Sequence, residues 1–254
     1  HVIFSFRPNC GYCRYCASGS SVLCIGHNDK PRHMMHDGTT RIKLNGEPVY
    51  QMARIGTFAE MVVCPAEQLV SVRKDLPWTH AAIIGCSVAT GVGAVTRHAK
   101  VDAGSSVVVV GVGGVGLNAV QGARLAGAKT IIAVDLLDNK LQMATKFGAT
   151  HIINGSRENV VKRVREITGG LGADYSFDAI GTAPTTEQII DVLAPAGHAT
   201  IVGIPHVDAK AQVSPFQMVY TEKKVSGTYY GSIRPTIDFG ILADLSLEGK
   251  LDLD

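Results

Sequence analysis

The chain has 254 residues, of which 46% are apolar and 18% are charged, and its formal net charge is +2. This composition is typical of a globular protein with enough chain for one large or two modest domains. The small net charge, with no block of basic residues, gives no electrostatic basis for a nucleic-acid or membrane-surface partner.

The amino-terminal residues HVIFSFRP lack the charged segment, apolar core and small-residue cleavage site of a signal peptide. The longest weakly polar run, Ala81 to Val95, contains glycine, serine and threonine. It falls short of the roughly 18 apolar residues that a membrane span needs. Cysteines that ligate a metal need a reducing compartment, and we therefore expect a cytoplasmic protein with no membrane partner.

Four of the six cysteines lie in one turn-rich stretch with the spacing C-x2-C-x2-C-x7-C: Cys10, Cys13, Cys16 and Cys24. Four thiolates this close in sequence can converge on one tetrahedral ion, and zinc favours such a closed site with four sulfur ligands. An iron–sulfur cluster is one alternative, but ferredoxin-type runs place the fourth cysteine about three residues after the third and follow it with proline. Two disulfides are another alternative, although nothing in the chain indicates secretion.

Residues 1 to about 85 carry short strand-like runs and no long amphipathic helix, which predicts an irregular, β-rich region. The segment GTFAEMVVCPAEQLVSV predicts two short strands around Pro65, with Cys64 as a strand residue. His33 and His36 form an H-x2-H pair in a polar loop, which is more typical of surface histidines than of a metal site. His27 follows the cysteine cluster, but four cysteines already complete a zinc shell.

Residues from about 102 to 230 alternate between strand and helix patterns, which predicts a doubly wound parallel sheet of six strands. The predicted strands are SSVVVVG, TIIAVD, HIIN, DYSFDAIG, HATIVGI and KVSGTYY. The predicted helices cover VGLNAVQGARLAG, Asp138 to Phe147, Arg157 to Ile167 and Glu187 to Leu193. The stretch from His206 to Tyr220 shows no clear helical pattern, whereas the tail after Arg234 has helical spacing and needs a surface to pack on.

The motif GVGGVG follows the first of these strands and opens a helix, which is the context that indicates a dinucleotide-binding loop. Gly111 permits the tight turn, Gly113 leaves room for the pyrophosphate, and Gly116 lets the helix pack close to the strand. Asp135 ends the second strand, 24 residues after Gly111. A carboxylate there accepts hydrogen bonds from the adenosine ribose and repels a 2′-phosphate, which favours NAD over NADP. As alternatives to ribose binding, Asp135 could be an acid at a helix N-terminus or a solvated acid. Asp138 is the better candidate for a helix cap.

The four-cysteine lobe, GCSVATGVGAV, GVGGVG and AVDLLDNK occur in that order. With these motifs the chain resembles the zinc-dependent medium-chain alcohol dehydrogenases over essentially its whole length. The resemblance implies a partial GroES-like catalytic domain with a structural zinc lobe over 1–88, a Rossmann NAD-binding domain over 89–231, and a return segment over 232–254. It also implies a second, catalytic zinc, which acts as a Lewis acid on the alcohol oxygen before hydride passes to nicotinamide.

The resemblance assigns Cys86 to the catalytic zinc as a ligand. By the same resemblance, the coenzyme-binding residues include the glycine motif, the ribose-binding pair and the borders of the nicotinamide pocket. They are Thr90, Gly111, Gly113, Gly114, Val115, Gly116, Asp135, Lys140, Val202, Gly203, Thr228 and Tyr230. Without the resemblance, Cys86 has no local partner and would be interpreted as a small buried apolar residue.

The chain also departs from the family pattern. The family places further catalytic-zinc ligands and its proton relay upstream of the structural lobe, so the chain is interpreted as a central fragment in which only Cys86 of that site remains. We expect NAD-linked oxidation of a primary alcohol, or of a thiol adduct of formaldehyde, by a homodimer or homotetramer that associates near residues 206–230. Two alternatives are a catalytically silent fragment that binds NAD and zinc, and a zinc-free quinone reductase. The four cysteines, Cys86 and Asp135 argue against the reductase.

Overall fold

The structure is a computed structural model that describes residues 1–26 and 31–254. His27, considered above as a competing metal ligand, lies outside the described residues. The chain forms two compact units. Unit 1 combines His1–Cys86 with Ile233–Asp254, and unit 2 is Ser87–Ser232.

The strands are numbered in chain order. They are β1 (Val2–Phe4), β2 (Ile42–Leu44), β3 (Glu47–Val49), β4 (Leu69–Ser71), β5 (Ser106–Val110), β6 (Thr130–Asp135), β7 (His151–Asn154), β8 (Ala173–Asp178), β9 (Leu193–Ile201) and β10 (Lys224–Gly227). The helices are α1 (Arg14–Ala17), α2 (Trp78–Ile83), α3 (Ala89–Gly93), α4 (Gly114–Leu125), α5 (Asp138–Lys146), α6 (Val160–Ile167), α7 (Ala183–Asp191), α8 (Pro215–Thr221) and α9 (Pro235–Leu247). Two π-helical turns, Ile84–Val88 and Ala94–Ala99, flank α3.

Unit 2 is built on a six-stranded parallel sheet with the order β10-β9-β8-β5-β6-β7. Counted from β5, this is the doubly wound order in which the chain first extends the sheet on one side and then returns to extend it on the other. The direction changes between β5 and β8, and ligands of such sheets bind outside the carboxyl ends of the strands at that point. The predicted doubly wound α/β fold is confirmed.

The central strand β5 has helices on both of its faces. Val107 and Val109 join one apolar core, and Val108 and Val110 join the other; all four are at most 3% exposed. Alternate residues of a strand point to opposite faces, so only a run without polar interruptions can fill both cores. The uninterrupted VVVV sequence therefore specifies a central position in the sheet.

Unit 1 contains little regular structure. Strands β1 and β4 pair antiparallel, β2 and β3 form a hairpin, and the remaining segments are turns and short helices. Helix α9 belongs to this unit: Ser246 on α9 hydrogen-bonds His80 Nδ1 at 2.9 Å, and Asp244 pairs with Arg73 at 3.3 Å. The helix predicted for the tail is therefore present, and its buried apolar side chains include Phe239 and Leu242.

Three predictions of secondary structure were wrong in part. The segment before Pro65 forms bends and no strand, because no described segment pairs with it, and Phe58 and Met61 are exposed. The stretch from His206 to Tyr220, predicted to lack a helix, contains most of α8. Pro215 is the first residue of this helix, and the Ser214 side chain caps it by accepting a hydrogen bond from the Gln217 N–H. The helix predicted over Glu187 to Leu193 is α7, which begins earlier, at Ala183, after the N-cap residue Thr182.

A continuous helical stretch, Trp78–Ala99, is long and apolar enough to cross a membrane by length and composition alone. The sequence estimate of Ala81 to Val95 was too short, because the glycine, serine and threonine residues do not end the helix. Within the fold, 56% of its most apolar window is buried. Gly91 shows how closely it packs, since a Cβ there would lie 2.3 Å from the Val115 carbonyl oxygen of α4. This degree of burial is typical of a core helix.

Candidate metal and coenzyme sites

The four clustered cysteines converge in space. One sulfur from each of Cys10, Cys13, Cys16 and Cys24 lies within 4.8 Å of the others. Cys13 Sγ is 3.6 Å from Cys16 Sγ and 4.0 Å from Cys24 Sγ. A tetrahedral site with Zn–S bonds of about 2.3 Å separates its sulfurs by about 3.8 Å, so these distances fit zinc. They far exceed the S–S bond length of about 2.05 Å, and all four cysteines are free, which makes the disulfide alternative wrong.

Backbone N–H groups point at the sulfurs of this cluster. The N–H groups of Cys10 and Gly26 donate to Cys24 Sγ, and the Cys13 N–H donates to Cys10 Sγ, each at 3.3 Å. Backbone donors likewise lower the pKa of the Cys13 thiol to about 6, whereas burial raises the pKa of Cys16 to about 12. Donors of this kind stabilise thiolates, which are the form that ligates zinc.

Two further residues shape the lobe, and the cysteine spacing did not reveal them. Arg7 reaches across it, with Nε donating to the Val22 carbonyl at 2.8 Å and Nη2 to the Cys24 carbonyl at 2.9 Å. Gly26 has no room for a side chain, because a Cβ there would lie 2.7 Å from both Cβ and Sγ of Cys10. No spacing motif marks either contact, so only the folded structure reveals them.

Cys86 lies apart from this cluster, in the π-helical turn Ile84–Val88. Its side chain is exposed by area, although the surrounding atoms desolvate the sulfur and raise the pKa of the thiol. Across residues 1–26 and 31–254, the only group of three or more metal-ligating side chains is the four-cysteine cluster. Cys86 therefore has no set of partner ligands within the described part of the chain, and its role as a zinc ligand stays a prediction.

The glycine-rich loop has the geometry that its motif predicts. Gly111 has a φ of +85°, which favours glycine, and Gly113 precedes α4 in an extended conformation. A Cβ on Gly116 would lie 1.8 Å from the Gly111 carbonyl oxygen, so the helix packs directly on the turn. A Cβ on Gly113 would meet nothing within 4 Å, which leaves open space in front of the helix N-terminus. Free N–H groups at a helix N-terminus that face such a space can bind a phosphate.

Asp135 is tied to the backbone around it. Oδ2 accepts from the Val112 N–H at 3.0 Å, and Oδ1 accepts from the N–H groups of Leu136 and Leu137 at 2.8 and 3.2 Å. Lys140 Nζ lies 3.9 Å from Oδ2. A carboxylate has about four acceptor positions, so these three hydrogen bonds leave room for a hydroxyl donor. Asp135 thus combines the turn-stabilising role considered as an alternative with the capacity to bind a ribose.

The prediction that Asp138 caps a helix was wrong. Asp138 is the first residue of α5, and the residue at the cap position is Leu137. The Asp138 carboxylate instead accepts from Asn154 Nδ2 at 2.7 Å and pairs with Arg157. Because these partners draw its side chain toward the end of β7, it is not directed at the first turn of its own helix.

The predicted nicotinamide residues follow the carboxyl ends of neighbouring strands in unit 2. The N–H groups of Val202 and Gly203 both donate to the Asp178 carbonyl, at 2.9 and 2.8 Å. The Thr228 N–H donates to the Ile201 carbonyl at 3.0 Å, so the segment after β10 is held beside the end of β9. These residues lie at the edge of the sheet to which the glycine-rich loop also belongs.

Thr90 and Tyr230 lie on two segments that pack against each other at Gly231. A Cβ on Gly231 would lie 2.6 Å from the Thr90 carbonyl oxygen, so the turn after β10 packs directly against α3. Val115 stands in the first turn of α4, which packs against α3 at Gly91. The structure thus brings the predicted coenzyme residues of unit 2 onto adjoining elements, while their contact with a coenzyme stays a prediction.

Comparison with known proteins adds independent evidence. Residues 114–245 match the family of zinc-binding dehydrogenases. The S-(hydroxymethyl)glutathione dehydrogenase of Paracoccus denitrificans is 38% identical over 263 residues, which cover 100% of this chain and 70% of that protein. The chain belongs to the zinc-dependent alcohol dehydrogenases.

Solved structures agree with this assignment. An alcohol dehydrogenase zinc-binding domain protein from Burkholderia ambifaria has a TM-score of 0.94 at 33% identity, covering 100% of this chain and 69% of that one. Benzyl alcohol dehydrogenase from Acinetobacter calcoaceticus has a TM-score of 0.91 at 30% identity, with the same coverage. The resemblance drawn from the sequence motifs is confirmed. The chain is a member of an oxidoreductase family whose cofactors are zinc and NAD(P).

Proposed function

We propose that this zinc-dependent alcohol dehydrogenase oxidises a primary alcohol, with NAD as the hydride acceptor. Two similar proteins are named for substrates that carry a terminal hydroxymethyl group, S-(hydroxymethyl)glutathione and benzyl alcohol. The shared chemistry is removal of a hydride and a proton from –CH2OH to leave a formyl group, which is an aldehyde for benzyl alcohol and a thioester for the thiol adduct. A thiol adduct of formaldehyde is the narrower candidate, because proteins named for it recur among the curated relatives.

The coenzyme proposal depends on one observation: the Val112 N–H of the glycine-rich loop donates a hydrogen bond to the Asp135 carboxylate. The loop leaves open space at Gly113 for a pyrophosphate, and Asp135 stands where a ribose hydroxyl is the natural donor. A phosphate on that ribose would face a carboxylate, so NAD is favoured over NADP. Lys140 Nζ, 3.9 Å from Asp135 Oδ2, is the second residue assigned to the ribose in this proposal.

The residues of the chain perform three tasks in this scheme. The loop and Asp135 bind and orient the dinucleotide, and the segment after β10 borders the nicotinamide. The four-cysteine cluster holds the structural zinc and stabilises the lobe around it. Cys86 contributes one ligand to the catalytic zinc in the intact enzyme. When bound, zinc supplies a Lewis acid for the alcohol oxygen and NAD supplies the hydride acceptor.

A catalytically silent protein that binds NAD and one zinc is the second candidate. It is favoured by the lack of partner ligands for Cys86 within residues 1–26 and 31–254. Zinc content separates the two: about one zinc per chain supports the silent protein, and about two support the dehydrogenase. NADH formation with S-(hydroxymethyl)glutathione, benzyl alcohol and ethanol then tests the activity. The absence of NADH with every alcohol, in a protein that binds NAD, would contradict the enzymatic proposal.

We also propose that two copies associate along β10. Within the described residues this strand pairs only with β9, and α8, which precedes it in the chain, exposes Phe216, Val219 and Tyr220. An open sheet edge or a group of exposed apolar side chains is a natural surface for self-association. Val219→Lys should shift the protein toward a monomer in sedimentation velocity, whereas Leu171→Lys, at an exposed apolar residue away from β10 and α8 in the chain, should not. The free thiols support the cytoplasm as the compartment of the protein.

A further inference from the structure

Two histidines of unit 2 share one serine hydroxyl. His98 Nε2 lies 2.8 Å from Ser226 Oγ, and His198 Nε2 lies 2.7 Å from the same oxygen. His98 comes from the π-helical turn Ala94–Ala99, His198 from β9 and Ser226 from β10. The three side chains therefore join the helix to the edge of the sheet. We call them the histidine–serine cluster.

The cluster continues into the turn that follows β10. His98 Nδ1 lies 3.0 Å from Ser232 Oγ, and Ser232 Oγ lies 2.9 Å from Thr228 Oγ1. His98 thus contacts both ends of the segment 226–232 with its two ring nitrogens. This segment carries Thr228 and Tyr230, which the proposed function places at the nicotinamide.

The same turn has a strained backbone. Tyr230, Gly231 and Ser232 are consecutive residues with φ values of +57°, +65° and +54°. Residues other than glycine adopt this region only at a cost, and they stay there when surrounding contacts leave no alternative. The His98–Ser232 hydrogen bond is one such contact, because it holds the last of the three residues.

The protonation state of the cluster decides whether this contact persists. A neutral pair satisfies the geometry, since the serine hydroxyl donates to one Nε2 and accepts from the other. One added proton is also accommodated, because the serine oxygen can accept two donors. A second proton places two cations with ring centres only 6.1 Å apart in a half-buried site.

The surrounding charges do not relieve this repulsion. Lys224 on β10 adds a positive charge next to His198, and Arg97 adjoins His98 along the chain. Tyr175 on β8 faces His198 and donates its hydroxyl proton to Asp102 at 2.9 Å. Asp174, also on β8, accepts from both the N–H and the hydroxyl of Ser106. Asp102 and Asp174 keep their negative charge, but both are hydrogen-bonded to neutral groups, and among the described residues neither forms an ion pair with His98 or His198.

We propose that His98 is a positioning residue for the coenzyme: through Ser226 and Ser232 it holds the strained turn 227–232, and a second proton on the His98–His198 pair releases that turn. The fixed turn presents Thr228 and Tyr230 to the nicotinamide, and this part of the inference depends on the proposed function. The release of the turn does not depend on it and can be measured without coenzyme.

Hydrogen–deuterium exchange of residues 227–232, corrected for the intrinsic effect of pH, tests the release. Between about pH 7.5 and about pH 5, protection of the turn should fall about tenfold or more in the unmodified chain. His198→Gln should keep protection at the lower pH, because glutamine offers an uncharged partner to Ser226. His98→Leu should lose protection at both pH values. His151→Gln, on the opposite edge strand of the same sheet, should retain the unmodified profile.

Two outcomes of the exchange experiment would contradict the role of the histidine–serine cluster. Protection that does not change with pH in the unmodified chain, or a His198→Gln profile identical to it, would overturn the proposal. If His98→Leu fails to fold, His98→Asn, which retains a partner for Ser232, replaces it and should preserve part of the protection. NAD affinity measured on the same samples separates the two proposals. Release of the turn in a chain that never binds NAD would contradict the coenzyme assignment and support the role of the cluster.

Discussion

The Val112 backbone N–H donates to Oδ2 of Asp135 at 3.0 Å, so the acid at the end of β6 also holds the glycine-rich loop. The residue proposed to select the coenzyme therefore also holds the loop that is proposed to bind the pyrophosphate. A substitution at Asp135 should change both ends of the proposed dinucleotide site together.

Asp135→Ala should weaken NAD binding by about tenfold to a hundredfold, because it removes a charged acceptor from both the loop and the ribose. Discrimination against NADP should fall in the same variant, since the repulsion of a 2′-phosphate is lost. Fluorescence titration with both coenzymes measures these effects. Asp138→Ala is the matched control, because that acid binds Asn154 and Arg157. Unchanged affinity and selectivity in Asp135→Ala would refute the assignment.

Substitutions at two glycines of the GVGGVG motif should have different effects on stability and on NAD binding. Gly116→Ala places a methyl group 1.8 Å from the Gly111 carbonyl oxygen, so we expect the free energy of unfolding to fall by about 3 kcal/mol or more. Gly113→Ala meets no atom within 4 Å and should leave stability nearly unchanged while it blocks the pyrophosphate. Urea unfolding and NAD titration on both variants check this. Equal losses of stability would show that Gly113 serves packing only.

The structural zinc should depend on Gly26 as well as on the cysteines. Mutation of Cys10 and Cys13 to serine together should abolish binding of about one zinc per chain, because two of four ligands are removed. Gly26→Ala should also reduce zinc content, since its Cβ would lie 2.7 Å from Cys10 Sγ. Atomic emission spectroscopy of purified protein gives the zinc content. Cys64→Ser, outside the cluster, should retain full zinc; a loss there would implicate it as a ligand.

Stability should decrease in mild acid. Burial lowers the pKa values of His98 and His198 below the ordinary 6.5, so the unfolded chain takes up protons before the folded one does. The free energy of unfolding should therefore fall as pH drops below about 6.5, by less than about 1 kcal/mol per histidine, because both are partly exposed. Urea unfolding at several pH values measures this. The double variant His98→Asn, His198→Gln should show a flatter profile than the unmodified chain.

Local patterns in the sequence were sufficient to predict much of the fold of unit 2. The strands of unit 2 are dense in β-branched residues, and the glycine motif follows β5 directly, so neighbouring residues carry the signal. The segment around Phe58 has the same apolar density but no pairing partner among the described residues, and it stays irregular. Apolar content specifies a strand only where another strand completes the hydrogen bonds.

The sequence predicted the candidate site less completely than it predicted the fold. The four-cysteine cluster is local in sequence, and its convergence followed from spacing. The hydrogen bonds of Asp135 to Val112 and of His98 to Ser226 join residues far apart in the chain. No periodicity encodes such contacts, since they arise from the order of strands in the sheet. The role of Cys86 came from family resemblance alone and has no geometric support in the described residues.

Unit 1 is assembled from two stretches of chain that flank the whole of unit 2. On the ribosome, the sheet of unit 2 is fully synthesised before α9 emerges. The contacts of α9 with Arg73 and His80 therefore cannot form until the whole of unit 2 has been synthesised, and they close a long loop. Nascent chains stalled before Pro235 should therefore have a protease-resistant sheet, while residues 1–86 should be cleaved more readily than they are once α9 has been added.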